Sequence, residues 1–292
     1  MDINYELYKV FYHVATSLSF SEASKHLFIS QSAVSQSIKT LEQKLGQQLF
    51  VRSTKRVCLT PEGEILFRHI EPAVHFIRRG EAGLVDATVT GGQIRIGASD
   101  TICRYFLIPY LERFHKEFPQ AHIKVVNQTS SECAKLLDTG QVDLVVVNYP
   151  NSQLSNQAVI KKIKTFSDLF IAGTTFAKTL DLPISLNELT NYPILMLDSQ
   201  SSTHGFLHQI FQQHQLDLIP EIELTSNDLL IDLARIGLGI AFIPDFCLTN
   251  QPDDIQVIPT KEELPQRELV IAYKKETPTT KTTEEFLKYF ID

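Results

Sequence analysis

Ser32, Ser35, Gln36, Lys39 and Gln43 fall at helical spacing in and just after the run ISQSAVSQSIKTLE. Their side chains carry hydroxyls, amides and one ammonium, whereas an ordinary solvated helix face is dominated by Glu and Lys, which are good helix formers. Such a face suits a partner that is hydrogen-bonded specifically. Glutamine can hold adenine through two bonds, short serines permit close approach to bases or phosphates, and lysine neutralises a phosphate backbone. A polar face that touches only water is the competing reading, and the pattern alone leaves it open.

A second group of polar residues lies further along. Ser99-Asp100-Thr101, Thr129-Ser130-Ser131, Ser199 to Thr203 and Ser226-Asn227-Asp228 each follow an apolar run and precede a helical one. Hydroxyls beside the free N–H groups of a helix start favour a small anion such as a carboxylate. Each could equally be a plain N-cap. Asp100 would repel an anion, so either it caps the helix at Thr101 or the ligand also carries an amine. His204, near a helix start, reads as a hydrogen-bonding neighbour and not as a metal ligand. No Ser-His-Asp order, paired carboxylate motif, phosphate-binding loop or zinc spacing of Cys and His occurs, so the motifs give no support to an enzyme, a cofactor or a metal.

The elements that position these groups begin with composition. The 292 residues suffice for about two domains, and 43% hydrophobic with 21% charged residues is the composition of a soluble globular chain. The net charge is −7, yet residues 31–60 hold five bases (Lys39, Lys44, Arg52, Lys55, Arg56) against the single acid Glu42. A local basic patch on an acidic chain implies a localised anionic partner. The opening MDINYELYKV carries charges throughout and no apolar run is long enough to span a bilayer, so a cytoplasmic location without membrane contact is expected. The four cysteines (58, 103, 133, 247) are scattered and read as reduced thiols.

Asn4 to Leu18 places Leu7, Val10, Phe11, Val14 and Leu18 on one helical face, and a short second helix is expected from Ser21, as N-cap, to Phe28. Ser30 caps the third helix, Gly46 closes it, and Val34, Ile38, Leu41 and Leu45 form its buried stripe. Two helices joined by a tight turn make a helix-turn-helix whose second helix enters the major groove. Gln48–Arg52 and Arg56–Thr60 then read as strands about a turn at Ser53–Lys55, a wing whose bases suit phosphates or the minor groove. The candidate DNA contacts are Gln31, Ser32, Ser35, Gln36 and Lys39 on the helix and Arg52, Thr54, Lys55 and Arg56 on the wing. Thr60-Pro61 starts a long helix in which Leu66, Ile70, Ala73, Ile77, Gly80, Leu84 and Ala87 form a heptad seam, interrupted by Pro72, which usually kinks a helix. Thr88–Gln93 reads as a hinge.

The pieces SEASKHL, SQSAVSQSIKTLE, LGQQLFVR and LTPEG, in this order and spacing, resemble the winged helix-turn-helix of the LysR-type transcriptional regulators. Ser32 departs from the family's frequent proline at that place, at little cost to the helix. The resemblance implies a linker helix that pairs two chains antiparallel, a homodimer or homotetramer on an inverted-repeat operator in double-stranded DNA, and RNA polymerase as a further partner.

From Gln93 onward strand and helix patterns alternate, as in a parallel sheet covered by helices. The order resembles the family's effector domain, an α/β two-lobed fold like that of type 2 periplasmic binding proteins. The expected organisation is therefore an all-α winged helix-turn-helix (1–60), a linker helix and hinge (61–90), and an effector-binding domain (91–292). Its first lobe would span about 92–162 with 268–292 and its second about 163–267, crossing at Ile163–Phe166 and Gln266–Glu268. Open sheets bind ligands at the carboxyl ends of their strands. That rule gathers Ser99, Asp100, Thr101, Thr129, Ser130, Ser201, Ser202, Thr203 and Asn227 into a candidate effector pocket for a small, carboxylate-bearing metabolite. A thiol redox sensor using Cys103 and Cys133 is the alternative, although the family's peroxide sensors carry their cysteines close together in the second lobe. An exported solute-binding protein does not fit a chain with a DNA-binding head.

Overall fold

The computed structural model describes residues 3–52, 56–86, 92–248, 253–275 and 280–290. The chain divides into two compact units, Met1–Val85 with Thr139–Gln141, and Asp86–Asp138 with Val142–Asp292.

In the first unit, α1 (Tyr5–Ser17) starts where the Asn4 side chain accepts from the Glu6 N–H, and it ends at Leu18 in the left-handed region (φ 47°). Helix α2 (Phe20–Leu27) is capped by Ser19, which accepts from the Glu22 N–H, and not by Ser21 as expected. The cap must sit in extended backbone. Ser19 does (φ −148°), whereas Ser21 already lies inside the helix that buries Phe20. Helix α3 (Gln31–Leu45) begins and ends as the sequence indicates, with Ser30 accepting from the Ala33 N–H at 3.2 Å and Gly46 at φ 68°. Val34, Ile38 and Leu41 are fully buried against Phe11, Val14 and Ala23, while Leu18, expected on the inner face, is exposed.

Strands β1 (Phe50–Arg52) and β2 (Val57–Leu59) pair antiparallel, Phe50 opposite Leu59. They are shorter than expected because their outer ends serve the neighbouring helices. The Thr60 hydroxyl donates to the Gln48 carbonyl at 2.6 Å and its N–H to that of Leu49 at 3.0 Å. The Thr60 Oγ1 in turn accepts from the Gly63 N–H at 3.0 Å, capping α4 (Pro61–Asp86). Glu42, the one acid of the basic segment, accepts from the N–H groups of Leu49 (2.9 Å) and Phe50 (3.3 Å), tying α3 to β1. Helix α4 continues through Pro72.

The second unit contains two five-stranded sheets with strand orders β4-β3-β5-β12-β6 and β11-β7-β10-β8-β9. The first is built from β3 (Gln93–Ala98), β4 (His122–Asn127), β5 (Leu144–Tyr149), β6 (Ala158–Phe166) and β12 (Arg267–Lys274). It is served by α5 (Asp100–Ile102), a π-helical turn (Cys103–Leu107), α6 (Ile108–Glu117), α7 (Ser130–Asp138) and, after β12, the last helix, Lys281–Lys288. The second sheet holds β7 (Asp168–Gly173), β8 (Ile194–Leu197), β9 (Ile222–Leu224), β10 (Ile240–Pro244) and β11 (Ile255–Ile258). Its helices are α8 (Thr174–Ala177), α9 (Leu186–Leu189), α10 (Ser202–Gln213) and α11 (Asn227–Arg235), and the last helix of the chain is α12. Both sheets are mixed and not purely parallel: β12 runs antiparallel to β5 and β6, and β7 antiparallel to β10 and β11.

The strand that leaves the first sheet stays in it as far as Phe166, paired with Arg267, so the crossover is the single residue Ser167 and not Ile163–Phe166. Ser167 is held there by Asp245, whose carboxylate accepts from the Ser167 N–H at 2.9 Å while the Asp245 N–H donates to the Ser167 carbonyl at 2.8 Å. The return reaches the first sheet at Arg267, the first residue of β12.

At this junction the Arg267 guanidinium bonds the Asp168 carboxylate twice, Nε to Oδ2 and Nη2 to Oδ1, both at 2.6 Å. Its plane lies over the rings of Phe166 (4.9 Å) and Phe206 (4.7 Å). Both charged residues are almost wholly buried, Arg267 at 4% and Asp168 at 1% exposure. Burial pushes the Asp168 carboxyl up from its ordinary value and the neighbouring Arg267 opposes that push.

Two changes test these contacts. A methyl at Gly63 would stand 2.2 Å from the Leu49 carbonyl oxygen. Gly63→Ala therefore lowers the stability of the first unit by about 1–3 kcal/mol, read as faster amide hydrogen exchange across α1 to α3, whereas Gly205→Ala, with open space around it, does no harm. Asp168→Asn keeps the shape but strands a buried cation, at a cost of about 3–5 kcal/mol. Chemical denaturation in which the Asp168→Leu, Arg267→Met double variant proves as unstable as the single one would contradict this account.

Candidate functional site

The helix-turn-helix presents Gln31, Ser32, Gln36 and Lys39 of α3 to solvent, and Ser35, expected beside them, is half-buried. The difference follows from register: Ser35 adjoins the fully buried Val34, while Gln36 and Lys39 lie farther round the helix from the Val34–Ile38–Leu41 stripe. The Ser32 hydroxyl lies 2.9 Å from that of Ser30, so part of its bonding is used at the cap. Arg56 is exposed at the start of the wing's second strand. Thr54 and Lys55 lie outside the described residues, as does the side chain of Arg52. Ser32, Gln36 and Lys39 thus form one face opposite the apolar stripe, with Gln31 exposed at the first turn, which is the arrangement a groove-reading helix needs.

Along α4 the expected seam divides. Leu66 and Ile70 pack on the head's own core, whereas Ala73, Ile77 and Gly80 are exposed, Ile77 at 63%. The side chain of Leu84 and all of Ala87 lie outside what is described. Intramolecular packing therefore accounts for the first two seam positions and leaves the next three with an apolar, open stripe.

In the second unit, some of the expected hydroxyls cap helices and others join the two lobes. Ser99 caps α5 by accepting from the Ile102 N–H at 3.3 Å. Thr129 accepts from the Glu132 N–H at 3.3 Å and Ser201 from the Thr203 N–H at 3.1 Å. Asp100 does not cap its helix; it is the exposed first residue after the cap Ser99. Ser130 is buried and accepts from the Asn148 N–H at 3.1 Å.

The remaining groups bridge the lobes. Asn227 Nδ2, from α11 of the second lobe, donates to Thr101 Oγ1 of the first at 2.8 Å. Asn148 Nδ2, from the end of β5 in the first lobe, donates to Ser202 Oγ of the second at 3.1 Å. Arg267 Nη2 reaches Thr203 Oγ1 at 3.0 Å, so the buried ion pair also holds the start of α10. At the other side the Tyr105 hydroxyl donates to the Asp228 carboxylate, and Arg104 lies 3.5 Å from that same carboxylate. Burial, then the bond to Asp228, pushes the Tyr105 hydroxyl well above its usual range, which keeps it a donor.

Asn148, Tyr105, Asp168 and Arg267 had no signal in the sequence, since each stands singly in a strand or helix and acquires its role from a partner 54 to 123 residues away. His204 has a partner that the sequence reading missed: its Nε2 is 3.1 Å from the Glu223 carboxylate and its ring is tilted against His208 at 4.2 Å. No group of three potential metal ligands forms among the described residues, and no described helix is long and apolar enough to cross a membrane.

The surroundings of Cys103 and Cys133, the pair named for redox sensing, favour the thiol over the thiolate. Burial, followed by Asp100, pushes Cys103 up to about 11, and burial pushes Cys133 up to about 12. A redox-sensing cysteine reacts as the thiolate and needs a depressed value.

Comparison with known proteins agrees with both units. Residues 5–64 match the bacterial regulatory helix-turn-helix protein model of the lysR family, and residues 87–292 match the LysR substrate binding domain. A probable RuBisCO transcriptional regulator of Thalassiosira pseudonana is 27% identical over 83% of this chain and 81% of its own length. The transcriptional activator IlvY of Salmonella typhimurium is 25% identical over 85% and 84%. Among solved structures, a full-length cysteine-to-aspartate variant of OxyR from Pseudomonas aeruginosa has a TM-score of 0.69 at 18% identity, covering 99% of this chain and 95% of that one. Full-length CbnR complexed with its target DNA has a TM-score of 0.67 at 16% identity, covering 99% of each chain. At such identities the structures speak for the fold alone, while the two family models, in order and over nearly all of the sequence, speak for descent. The chain belongs to the LysR family of transcriptional regulators, a DNA-binding factor and not an enzyme.

Proposed function

We propose that α3 reads an inverted-repeat operator in double-stranded DNA and that a small metabolite bound between the two lobes sets the response. The observation that supports the second half is the set of polar bonds that join the two lobes. Thr101, Ser202, Thr203, Asn148 and Asn227 take part in them, near the N-termini of α10 and α11, whose positive dipole ends favour the carboxylate of a ligand. A molecule entering between the lobes exchanges the amide bridges and meets polar groups that the closed arrangement leaves unsatisfied, so it binds one arrangement of the lobes better than another. That difference is the requirement for control by a ligand. The exposed stripe Ala73–Ile77–Gly80 of α4 supports pairing of two chains into a homodimer, the smallest assembly that places two heads on two half-sites. RNA polymerase is the partner through which such a regulator acts, and the cytoplasm is where it meets both DNA and metabolites.

The DNA face is tested at Gln36, exposed on α3. Gln36→Ala costs about 1–3 kcal/mol on the specific site and relaxes preference at one base position, whereas loss of Arg56 weakens all duplexes and makes the salt slope shallower by about one unit. If Gln36→Ala binds specific and scrambled duplexes in the wild-type ratio, α3 does not read the bases.

Ile77→Asp places a charge in the open stripe of α4. Between paired helices it would be buried without a partner, which is costly, so sedimentation is expected to show weaker dimers and gel shifts lower occupancy of a two-half-site operator. An unchanged assembly would remove α4 from the interface.

A further inference from the structure

The two amide bonds that join the lobes are reciprocal. The first lobe sends Asn148 to a hydroxyl at the start of α10, and the second sends Asn227 to a hydroxyl of α5. Each amide uses its NH2 group for the bridge. The opposite end of each is a carbonyl oxygen, and Asn148 Oδ1 and Asn227 Oδ1 are the two buried side-chain polar atoms with no hydrogen-bond partner among the described residues. Asn227 is only 3% exposed. Buried polar atoms are nearly always paired, and one left unpaired calls for an explanation. Two of the same kind, both acceptors, on the two bridges that join the lobes have a common explanation: they are there to receive donors.

The charges around them agree. Arg267, the buried cation among the described residues, is neutralised by two bonds to Asp168, and Asp228 already accepts from Tyr105 and faces Arg104. Asp100 at the start of α5 adds an exposed negative group. A site whose buried cation is already paired and whose unfilled groups are oxygens discriminates against an acid with nothing but acceptors. We infer that the metabolite carries hydrogen-bond donors, an ammonium or hydroxyls, which Asn148 Oδ1 and Asn227 Oδ1 accept from opposite lobes. Any carboxylate it bears is left to the helix N-termini. The preferred class is an amino or hydroxy acid over the unsubstituted acid of the same skeleton. Asn148 and Asn227 are then the residues that set this preference, and the inference rests on the interlobe reading of the effector site.

The test is a thermal-shift and calorimetric comparison on the full chain with matched trios: an α-amino acid, the α-hydroxy acid and the unsubstituted acid, with mono- and dicarboxylic skeletons of two to six carbons. Sugar alcohols and simple amines are added as donors without a carboxylate. Within any trio that stabilises the protein, the amino or hydroxy member is expected to bind at least tenfold more tightly than the unsubstituted acid. Asn227→Asp, which places carboxylate oxygens at both ends of that side chain, is expected to favour the amino member over the hydroxy member severalfold further. The inference is overturned if an unsubstituted acid binds as tightly as its amino and hydroxy partners, the result expected if both amides turned their NH2 groups inward. Stabilisation by a polyol or amine alone would support the donor preference and remove the carboxylate from the proposed function. Stabilisation by nothing in the panel would overturn both. The trio comparison uses the wild-type chain, so it stands even if the aspartate variant folds poorly.

Discussion

The second unit depends on one buried ion pair. Arg267 opens the strand that returns to the first sheet, and Asp168 opens the strand that enters the second, so their two parallel bonds fasten both crossovers at a single point. Removing two charges from water costs several kcal/mol each, and only good geometry with further bonds offsets it. The geometry here is bidentate, the guanidinium faces lie against Phe166 and Phe206, and the Thr203 hydroxyl takes another N–H. An apolar substitute of the same volume would hold the lobes together equally well, but it would set no direction. The fork of Arg267 fits a carboxylate in one orientation, which aligns β12, β7 and the first turn of α10 together. Thr203, one of the residues of the proposed effector site, is held in place by that ion pair.

The two amide bridges between the lobes are of a different kind. Amide-to-hydroxyl bonds between neutral groups contribute a net of about 0.5–1.5 kcal/mol each, weak enough to be exchanged for bonds to a ligand. The contrast between a fixed charged hinge and exchangeable neutral bridges suits a domain that must move slightly without coming apart. Coupling free energies between sites of about 1–3 kcal/mol are typical, and two such bridges lie in that range. A ligand that replaced them one for one would shift nothing; it must satisfy groups that the unliganded closed arrangement leaves unsatisfied. The two orphan amide oxygens are groups of that description.

The head is organised around the two faces of a single helix. Helix α3 has to bury one stripe and present another, and its composition divides accordingly: Val34, Ile38 and Leu41 at 0% exposure against Gln31, Gln36 and Lys39 in solvent. Glu42 sits among five basic residues and is used internally, its carboxylate accepting two backbone N–H groups at the entry to the wing. The segment can therefore attract a polyanion through its lysines and arginines while its one acid is turned to structure, on a chain whose net charge is −7.

Local patterns made the head legible. Helical spacing, capping residues at Ser30 and Gly46, and the motifs from SEASKHL to LTPEG depend on neighbours within a few residues, and a sequence displays such relations directly. The misplaced cap at Ser21 has the same scale: it required knowing that Leu18 turns left-handed and lets α2 begin early. The alternation of strands and helices was readable for a related reason, since apolar runs of β length stand out between amphipathic helices. Which strands run antiparallel, the crossover at Ser167 and the split of the α4 seam at Ile70 were settled by packing between distant elements. The hydroxyls near strand ends could be named from sequence because the fold rule predicts where strand ends go. The asparagines, the tyrosine and the ion pair could not, because a lone Asn148 or Arg267 has no local pattern to mark it. The sequence determined the elements, the family and the polar supply of the site; the tertiary structure decided which polar groups meet, because the two amide bridges join residues 54 and 126 positions apart, where no periodicity reaches.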